Sequence, residues 1–276
     1  MKKLGFILAA SALALAACGS GEESGSEGTG GEASKDIKLG ATAGPYSDML
    51  SKAIVPGLEE KGYTVELVEF SDYIQPNVAL DGGDIDANLF QHTIYLENFE
   101  KENGMDLSAL ITVPTAPMGL YSNQYDSLEA IEDGATIAIP NDPVNGARAL
   151  LMLQDEGLVE LDPEAEVLQA SERDVITNEK NLEFQPIEAG QLPRAVDGSD
   201  LAAVPGNFAI AAEMDLLDAL ALENMPDQYR NVVAVNAENE GSELAKDLVE
   251  IVESAEFEAV IDEEFEGFGK PEWMAE

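Results

Sequence analysis

Tyr63-Thr64-Val65-Glu66-Leu67-Val68-Glu69-Phe70, followed by Pro76 to Leu80, Ile85 to Leu89 and Thr93 to Glu102, is the stretch that decides the fold. The first piece alternates polar and apolar side chains and is rich in β-branched and aromatic residues, so it reads as a strand. Pro76 to Leu80 reads as a short helix stopped by Asp81-Gly82-Gly83. Ile85 to Leu89 reads as a strand and Thr93 to Glu102 as a helix. A strand and helix in alternation predict a parallel-type sheet with helices on its faces.

The same rhythm extends upstream. Ile37 to Ala41 is a short strand, and Ser47 to Lys61 has helical spacing with Leu50, Ile54 and Leu58 on one face. Pro56 must kink or split that helix. Downstream, Leu107 to Tyr121 is extended, since Pro114 and Pro117 bar a helix, and reads as a crossover into a second lobe. There Thr136 to Ile139 is a strand, Pro143 to Glu156 a helix, and Val167-Leu168 and Leu182 to Phe184 short extended pieces. Gly190 to Val196 is a short helix and Leu201 to Val204 a strand. Asn231 to Val235 carries the chain back. Ser242 to Ile261 is one amphipathic helix with Leu244, Leu248, Ile251 and Val252 on a face.

The expected organisation is an export signal over residues 1–17 and a flexible linker over 18–35. Lobe I follows over 36–115, lobe II over 116–234, and a C-terminal part of lobe I over 235–276. Ala79-Leu80-Asp81-Gly82-Gly83-Asp84-Ile85-Asp86-Ala87 parallels Ala195-Val196-Asp197-Gly198-Ser199-Asp200-Leu201-Ala202-Ala203. The match fits either pseudo-symmetric lobes or common helix-to-strand turn chemistry.

The N-terminus has a cationic start, Met1-Lys2-Lys3, and an apolar run from Leu4 to Ala16 that is too short to span a bilayer. Leu15-Ala16-Ala17-Cys18 resembles the lipobox of bacterial lipoproteins, which implies a diacylglyceryl thioether on Cys18, the only cysteine. The expected location is the outer face of the cytoplasmic membrane, where two acyl chains suffice for stable anchoring. Gly19 to Ser34 has no aromatic and no branched aliphatic residue, so it cannot bury enough surface to order itself.

The chain carries 55 acidic and 14 basic residues, a formal net charge of -41. Nucleic-acid binding rests on basic contacts to phosphate, so that class is excluded. Such a surface repels itself at low salt, which predicts a saline or alkaline habitat. With one histidine, no second cysteine, and no G-x-S-x-G, P-loop or H-E-x-x-H motif, no enzyme is expected. Asp81, Asp84 and Asp86 lack the spacing of a calcium loop, and neither metal nor cofactor is expected.

Two segments read as a binding cleft. In Asp86 to Tyr95 a strand passes into a helix, the kind of place where open α/β folds bind ligands. Phe90 and Tyr95, with Tyr73 upstream, either wall an apolar pocket or pack in the core. In Pro140 to Leu150, Asp142-Pro143 is a helix start, with Asp as cap and Pro at the first position. Arg148, one of four arginines, then lies where a cation opposes the helix dipole. Either a bound ligand carboxylate or a salt bridge to one of the many acidic residues explains it.

At these residues the chain resembles the NlpA-type lipoproteins, the methionine-binding components of ABC importers. The matching runs are Glu69 to Asn77, Gly83-Asp84-Ile85-Asp86-Ala87-Asn88-Leu89-Phe90-Gln91-His92, Ile139 to Pro143 and Gln191 to Arg194, with Gly-Lys-Pro-Glu-Trp ending at Trp273. The resemblance implies an α/β, two-lobed fold of the periplasmic-binding-protein type II class, with two crossover strands and a ligand cleft. It implies that Tyr73, Phe90 and Tyr95 cage a thioether side chain. It implies that His92 and Arg148 hold the ligand carboxylate, with Asn145 beside Arg148 and Asn231 at the backbone amino or carboxylate group. Asn207 joins the implied ligand set. Pro205 stands where the family carries an asparagine, which leaves D-methionine, a methionyl dipeptide or another apolar amino acid open beside L-methionine. The implied partners are an amino-acid ligand and an ABC permease. Competing readings are a receptor for a quaternary ammonium osmolyte and a surface adhesin without a small ligand.

Overall fold

Side-chain alternation in Tyr63 to Leu67 has a simple origin: in this stretch of an edge strand Thr64 and Glu66 reach solvent while Val65 and Leu67 pack on the core. The structure, a computed structural model, describes residues 35–274. The expected export signal, Cys18 and the spacer through residue 34 lie outside the described residues. In chain order the strands are β1 (Lys35–Thr42), β2 (Tyr63–Phe70), β3 (Ala87–His92), β4 (Leu107–Val113), β5 (Gly119–Tyr121) and β6 (Thr136–Pro140). Then come β7 (Glu160–Leu161), β8 (Val175–Thr177), β9 (Glu183–Ile187), β10 (Leu201–Val204), β11 (Ala221–Leu222) and β12 (Asn231–Asn236).

The strands form two five-stranded sheets, ordered β2-β1-β3-β12-β4 and β11-β5-β10-β6-β9, and a small β7-β8 ribbon. Each sheet has three parallel strands, β2-β1-β3 or β9-β6-β10. Beside them lies one antiparallel strand that has arrived from the other lobe, β12 or β5, and then a further strand. The two lobes therefore share one plan. The parallel stretches Ala79–Ala87 and Ala195–Ala203 hold the same place in it, leading into β3 and β10. Ile85 and Leu201, and Ala87 and Ala203, are buried at matching positions. The likeness reflects lobe symmetry as well as turn chemistry.

Both faces of the sheets are covered. Leu39, Met49, Ile54, Leu58, Leu89, Leu248 and Phe257 pack one side of the first sheet, and Leu80, Ile85, Leu96 and Val232 the other. In the second lobe Ile137, Leu150, Leu153 and Leu201 pack one side, and Leu192, Ala202, Val204 and Phe208 the other. Burial of each large side chain contributes about 1.5–3 kcal/mol before entropy is charged against it. β3 and β10 are buried at every residue, as strands covered on two faces must be.

Several expected boundaries move. β3 begins at Ala87 and runs to His92, because Asp86 turns its carboxylate to the backbone N–H of Lys38 at 2.7 Å. The Ser47 to Lys61 helix is split into α-turns at Pro45–Met49 and Val55–Glu60 with a π-turn, Leu50–Ile54, between them. Pro56 supplies no N–H and crowds the preceding turn, and the wider π-turn relieves both. Ser242 to Ile261 is two helices, Glu243–Val252 and Ala255–Glu264. Ser254 breaks it by accepting from the Phe257 N–H at 3.1 Å, as a helix cap does. Val167–Gln169 is a 3₁₀ turn rather than an extended piece. Lys35 already belongs to β1. The return from the second lobe occurs over 223–230, earlier than residue 234, because all of β12 pairs within the first sheet. Among the described residues no helix is long and apolar enough to cross a membrane.

Candidate functional site

The carboxyl ends of the parallel strands in both lobes face one cleft, where open α/β sheets bind ligands. From lobe I come Thr42 at the end of β1, Tyr73 after β2 and His92 at the end of β3. β12 runs the opposite way, so its first residue, Asn231, arrives at the same end, paired with His92. From lobe II come Asn145 and Arg148 on the helix Pro143–Asp155 after β6, and Asn207 after β10.

All eight expected site residues line one cavity: Tyr73, Phe90, His92, Tyr95, Asn145, Arg148, Asn207 and Asn231. The cavity has room for about one water. Tyr73 lies 5.9 Å from Phe90, 5.8 Å from Tyr95 and 4.8 Å from Phe208, centroid to centroid. The Tyr95 hydroxyl donates to the Tyr73 carbonyl at 3.0 Å. Among the described residues three side-chain hydrogen bonds cross between the lobes. The Tyr73 hydroxyl donates to Asn207 Oδ1 at 2.6 Å, Asn207 Nδ2 donates to Thr42 Oγ1 at 3.3 Å, and His92 Nε2 lies 3.2 Å from Asn145 Oδ1.

The tautomer of His92 follows from its neighbours. Its Nδ1 accepts from the Tyr95 N–H at 3.1 Å and so caps the helix Thr93–Asn103. The proton therefore sits on Nε2, which donates to Asn145 Oδ1. Burial, then the charge of Arg148, hold the His92 pKa down at about 3 although the Asn145 bond opposes the shift. The ring is neutral at ordinary pH and serves as a donor, not as a cation. Asn145 is oriented in turn by Asp142, the cap of the next helix, which accepts from its backbone N–H at 2.9 Å and its Nδ2 at 3.1 Å. Burial raises the Asp142 pKa against these hydrogen bonds. Two helix N-termini, with their positive dipole ends, thus face the cleft.

Arg148 is 6% exposed and pairs with Glu223, which is 5% exposed. Nε donates to Oε2 at 2.7 Å and Nη2 donates to Oε1. Burial lowers the Arg148 pKa, but the charge and hydrogen bonds of Glu223 outweigh it and the net shift is upward. A guanidinium has five N–H donors, so this pair uses the edge formed by Nε and Nη2 and leaves the remaining donors unengaged by Glu223. Both explanations weighed for this arginine are therefore compatible. The Tyr229 ring lies 5.2 Å from its Cζ, a cation–π distance. Asn231, 3% exposed, lines the cavity at the end of β12.

Sequence reading missed Glu223, Tyr46, Gln91, Thr115, Ala116 and Gly206. Gln91 stood inside a segment singled out, but the others carry no local motif. Gly206 is where the second lobe meets the crossover, since a Cβ there would run into the Pro117 carbonyl and Ala116. Gln91 belongs to a buried amide triad beneath the cavity. Asn77 Nδ2 donates to Gln91 Oε1 at 2.6 Å, and Asn77 Oδ1 accepts from Gln91 Nε2 at 2.7 Å and Asn88 Nδ2 at 3.0 Å. This triad ties the helix Gln75–Asp81 to β3 and so sets Tyr73 against Phe90. Among the described residues no cluster of His, Cys, Asp and Glu could hold a metal ion.

Comparison with known proteins agrees with this architecture. The family model described as NlpA lipoprotein matches residues 37–273. The methionine-binding lipoprotein MetQ of Bacillus subtilis is 36% identical over 278 aligned positions, covering 97% of each chain. The D-methionine-binding lipoprotein MetQ of Escherichia coli is 34% identical over 264, covering 95% of this chain and 94% of its own. A nutrient-binding protein from Burkholderia cenocepacia, solved bound to methionine, superposes with a TM-score of 0.79 at 38% identity. It covers 84% of this chain and 97% of its own. With two lobes of one topology, a cleft lined from both, and a family match over nearly all the described residues, the chain belongs to the NlpA lipoprotein family.

Proposed function

We propose that this protein is an extracytoplasmic receptor that captures methionine, as the L or D form or a close derivative, and delivers it to an ABC permease. It performs no chemistry on its ligand. The observation that carries the reading is the composition of the cavity, where the remaining donors of Arg148 and the Nε2–H of His92 adjoin three packed aromatic rings. The first two are donors suited to a carboxylate, and the rings offer an apolar and polarisable surface to a thioether. Asn145, Asn207 and Asn231 add neutral hydrogen-bonding groups, with Asn231 Oδ1 the acceptor available to an ammonium group.

For an amino acid to enter, the cross-lobe bonds at Tyr73, Asn207 and His92 must open and the cavity must widen. Residues 114–118 and 223–230 are the crossings about which the lobes would part. Ligand capture is then a shift of population toward the closed form. Cys18, acylated after signal cleavage, tethers the protein outside the membrane through the spacer.

Mass spectrometry of small molecules released from natively purified protein, with calorimetry on protein stripped of ligand, tests this. The expected result is methionine or a methionyl compound at about one per chain and tight rebinding of the same compound. Recovery of betaine, or no heat with L-methionine, D-methionine or a methionyl dipeptide, would overturn it.

A further inference from the structure

We propose that Glu223 sets the net charge of the ligand site, so that the site selects a zwitterion over singly charged relatives of the same size. The inference rests on the amino-acid receptor reading above. Glu223 is the first residue of the return crossing, after β11. Its carboxylate takes one edge of the Arg148 guanidinium and also accepts the N–H of Met118 in the outward crossing. The cation that meets the ligand is thereby fastened to both crossings.

The pair is also electrically neutral and removed from water. The other charged groups nearby, Asp142 and Arg230, are not among the cavity-lining residues. His92 is uncharged. Asp142 faces the start of its own helix through Asn145. Arg230 has Asp227 at 3.7 Å. A ligand with a carboxylate alone therefore brings an uncompensated negative charge to a site where Glu223 stands behind Arg148. A ligand with an ammonium alone brings an uncompensated positive charge. A zwitterion brings neither, and its two ends meet the remaining guanidinium donors and the neutral oxygens of the asparagines. Glu223 also holds the guanidinium in place, but an orienting role by itself would weaken all three ligands alike.

Glu223→Gln keeps the shape and an acceptor for Arg148 while removing the charge, and Glu223→Asp keeps the charge. Affinities of methionine, 4-(methylthio)butanoate (no ammonium) and methioninamide (no carboxylate) would be measured by calorimetry on wild type and both variants. In E223Q the anionic analogue should gain about tenfold or more relative to methionine, and methioninamide should lose by a similar factor. Tenfold is the scale of one unit charge about 12 Å away at an effective dielectric constant of about 20, and a nearer charge gives more. E223D should keep the wild-type order. A common factor for all three ligands in E223Q would overturn the proposal. If E223Q does not melt cooperatively, the wild type alone decides. There, 4-(methylthio)butanoate binding as tightly as methionine overturns the proposal, and a marked preference for methionine over both analogues upholds it. A wild type that binds none of the three removes the receptor reading, and this proposal with it.

Discussion

Replacing His92 with asparagine should remove an acid lability from the cleft. In the folded protein His92 titrates at about 3 against an ordinary 6.5, because burial disfavours the imidazolium and Arg148 repels it. The Tyr95 hydrogen bond gives the same sign, although the Asn145 bond opposes it. Nδ1 accepts from the Tyr95 N–H, and a proton on Nδ1 would set two N–H groups against each other. The folded value lies below the unfolded one, so the unfolded chain takes up the proton first. The stability due to the neutral ring is fully present above about pH 6.5 and is lost as pH falls toward about 3. At about 1.4 kcal/mol per unit, acidification to about pH 5 costs the wild type about 2 kcal/mol from this group. Asn at position 92 still offers an oxygen to cap the helix and has no proton to gain. Urea denaturation of both proteins at about pH 8 and about pH 5, in molar salt to screen the surface carboxylates, reads the difference. The wild type should lose about 2 kcal/mol more than H92N between the two conditions. Parallel losses would refute the neutral, buried assignment of this ring.

Three further outcomes follow from the same geometry. Arg148→Ala should abolish methionine binding in calorimetry and lower stability by about 3–5 kcal/mol, because it leaves Glu223 buried and unpaired; R148Q/E223Q should recover much of that stability but not the binding. Unchanged affinity in Arg148→Ala would refute the carboxylate role. Asn77→Ala should cost about 2–3 kcal/mol in chemical denaturation, since it strips partners from both Asn88 and Gln91, and should weaken ligand binding by loosening Tyr73. With a formal net charge of -41, the melting temperature should rise between low and molar salt as self-repulsion is screened; a flat or falling curve would remove the inference of a saline habitat.

The exposed salt bridges contribute little to this account. Lys35–Glu243 and Lys52–Glu264 are half in water, and such pairs are worth about 0–1 kcal/mol each. They offset few of the carboxylates, so the sheets and their two-sided cores must hold the lobes together.

Much of the fold was legible because its signals are local. Tyr63 to Leu67 alternates because this part of an edge strand has a wet face and a dry one. Asp142-Pro143 announces a helix because a cap and a fixed φ act within a few residues. The site residues Tyr73, Phe90, His92, Tyr95, Asn145, Arg148, Asn207 and Asn231 converge because each lies near a strand end, and strand ends in this topology meet at a cleft. Errors fell where two local signals competed. Ser254 outweighed a continuous apolar face, and Pro56 asked for a π-turn that no spacing rule describes.

From the residues alone came the alternation of strands and helices, the crossover, the caps and the segments whose ends build a cleft, all set by sterics and hydrogen bonds within about ten positions of the chain. Folding decided the rest. It chose Glu223 out of 55 acidic residues as the partner of Arg148, put the amides of Asn77, Asn88 and Gln91 into one triad, and made His92 neutral. Each of these depends on which groups lose their water and which distant group then replaces it, and that is a property of position in space that no neighbouring residue encodes.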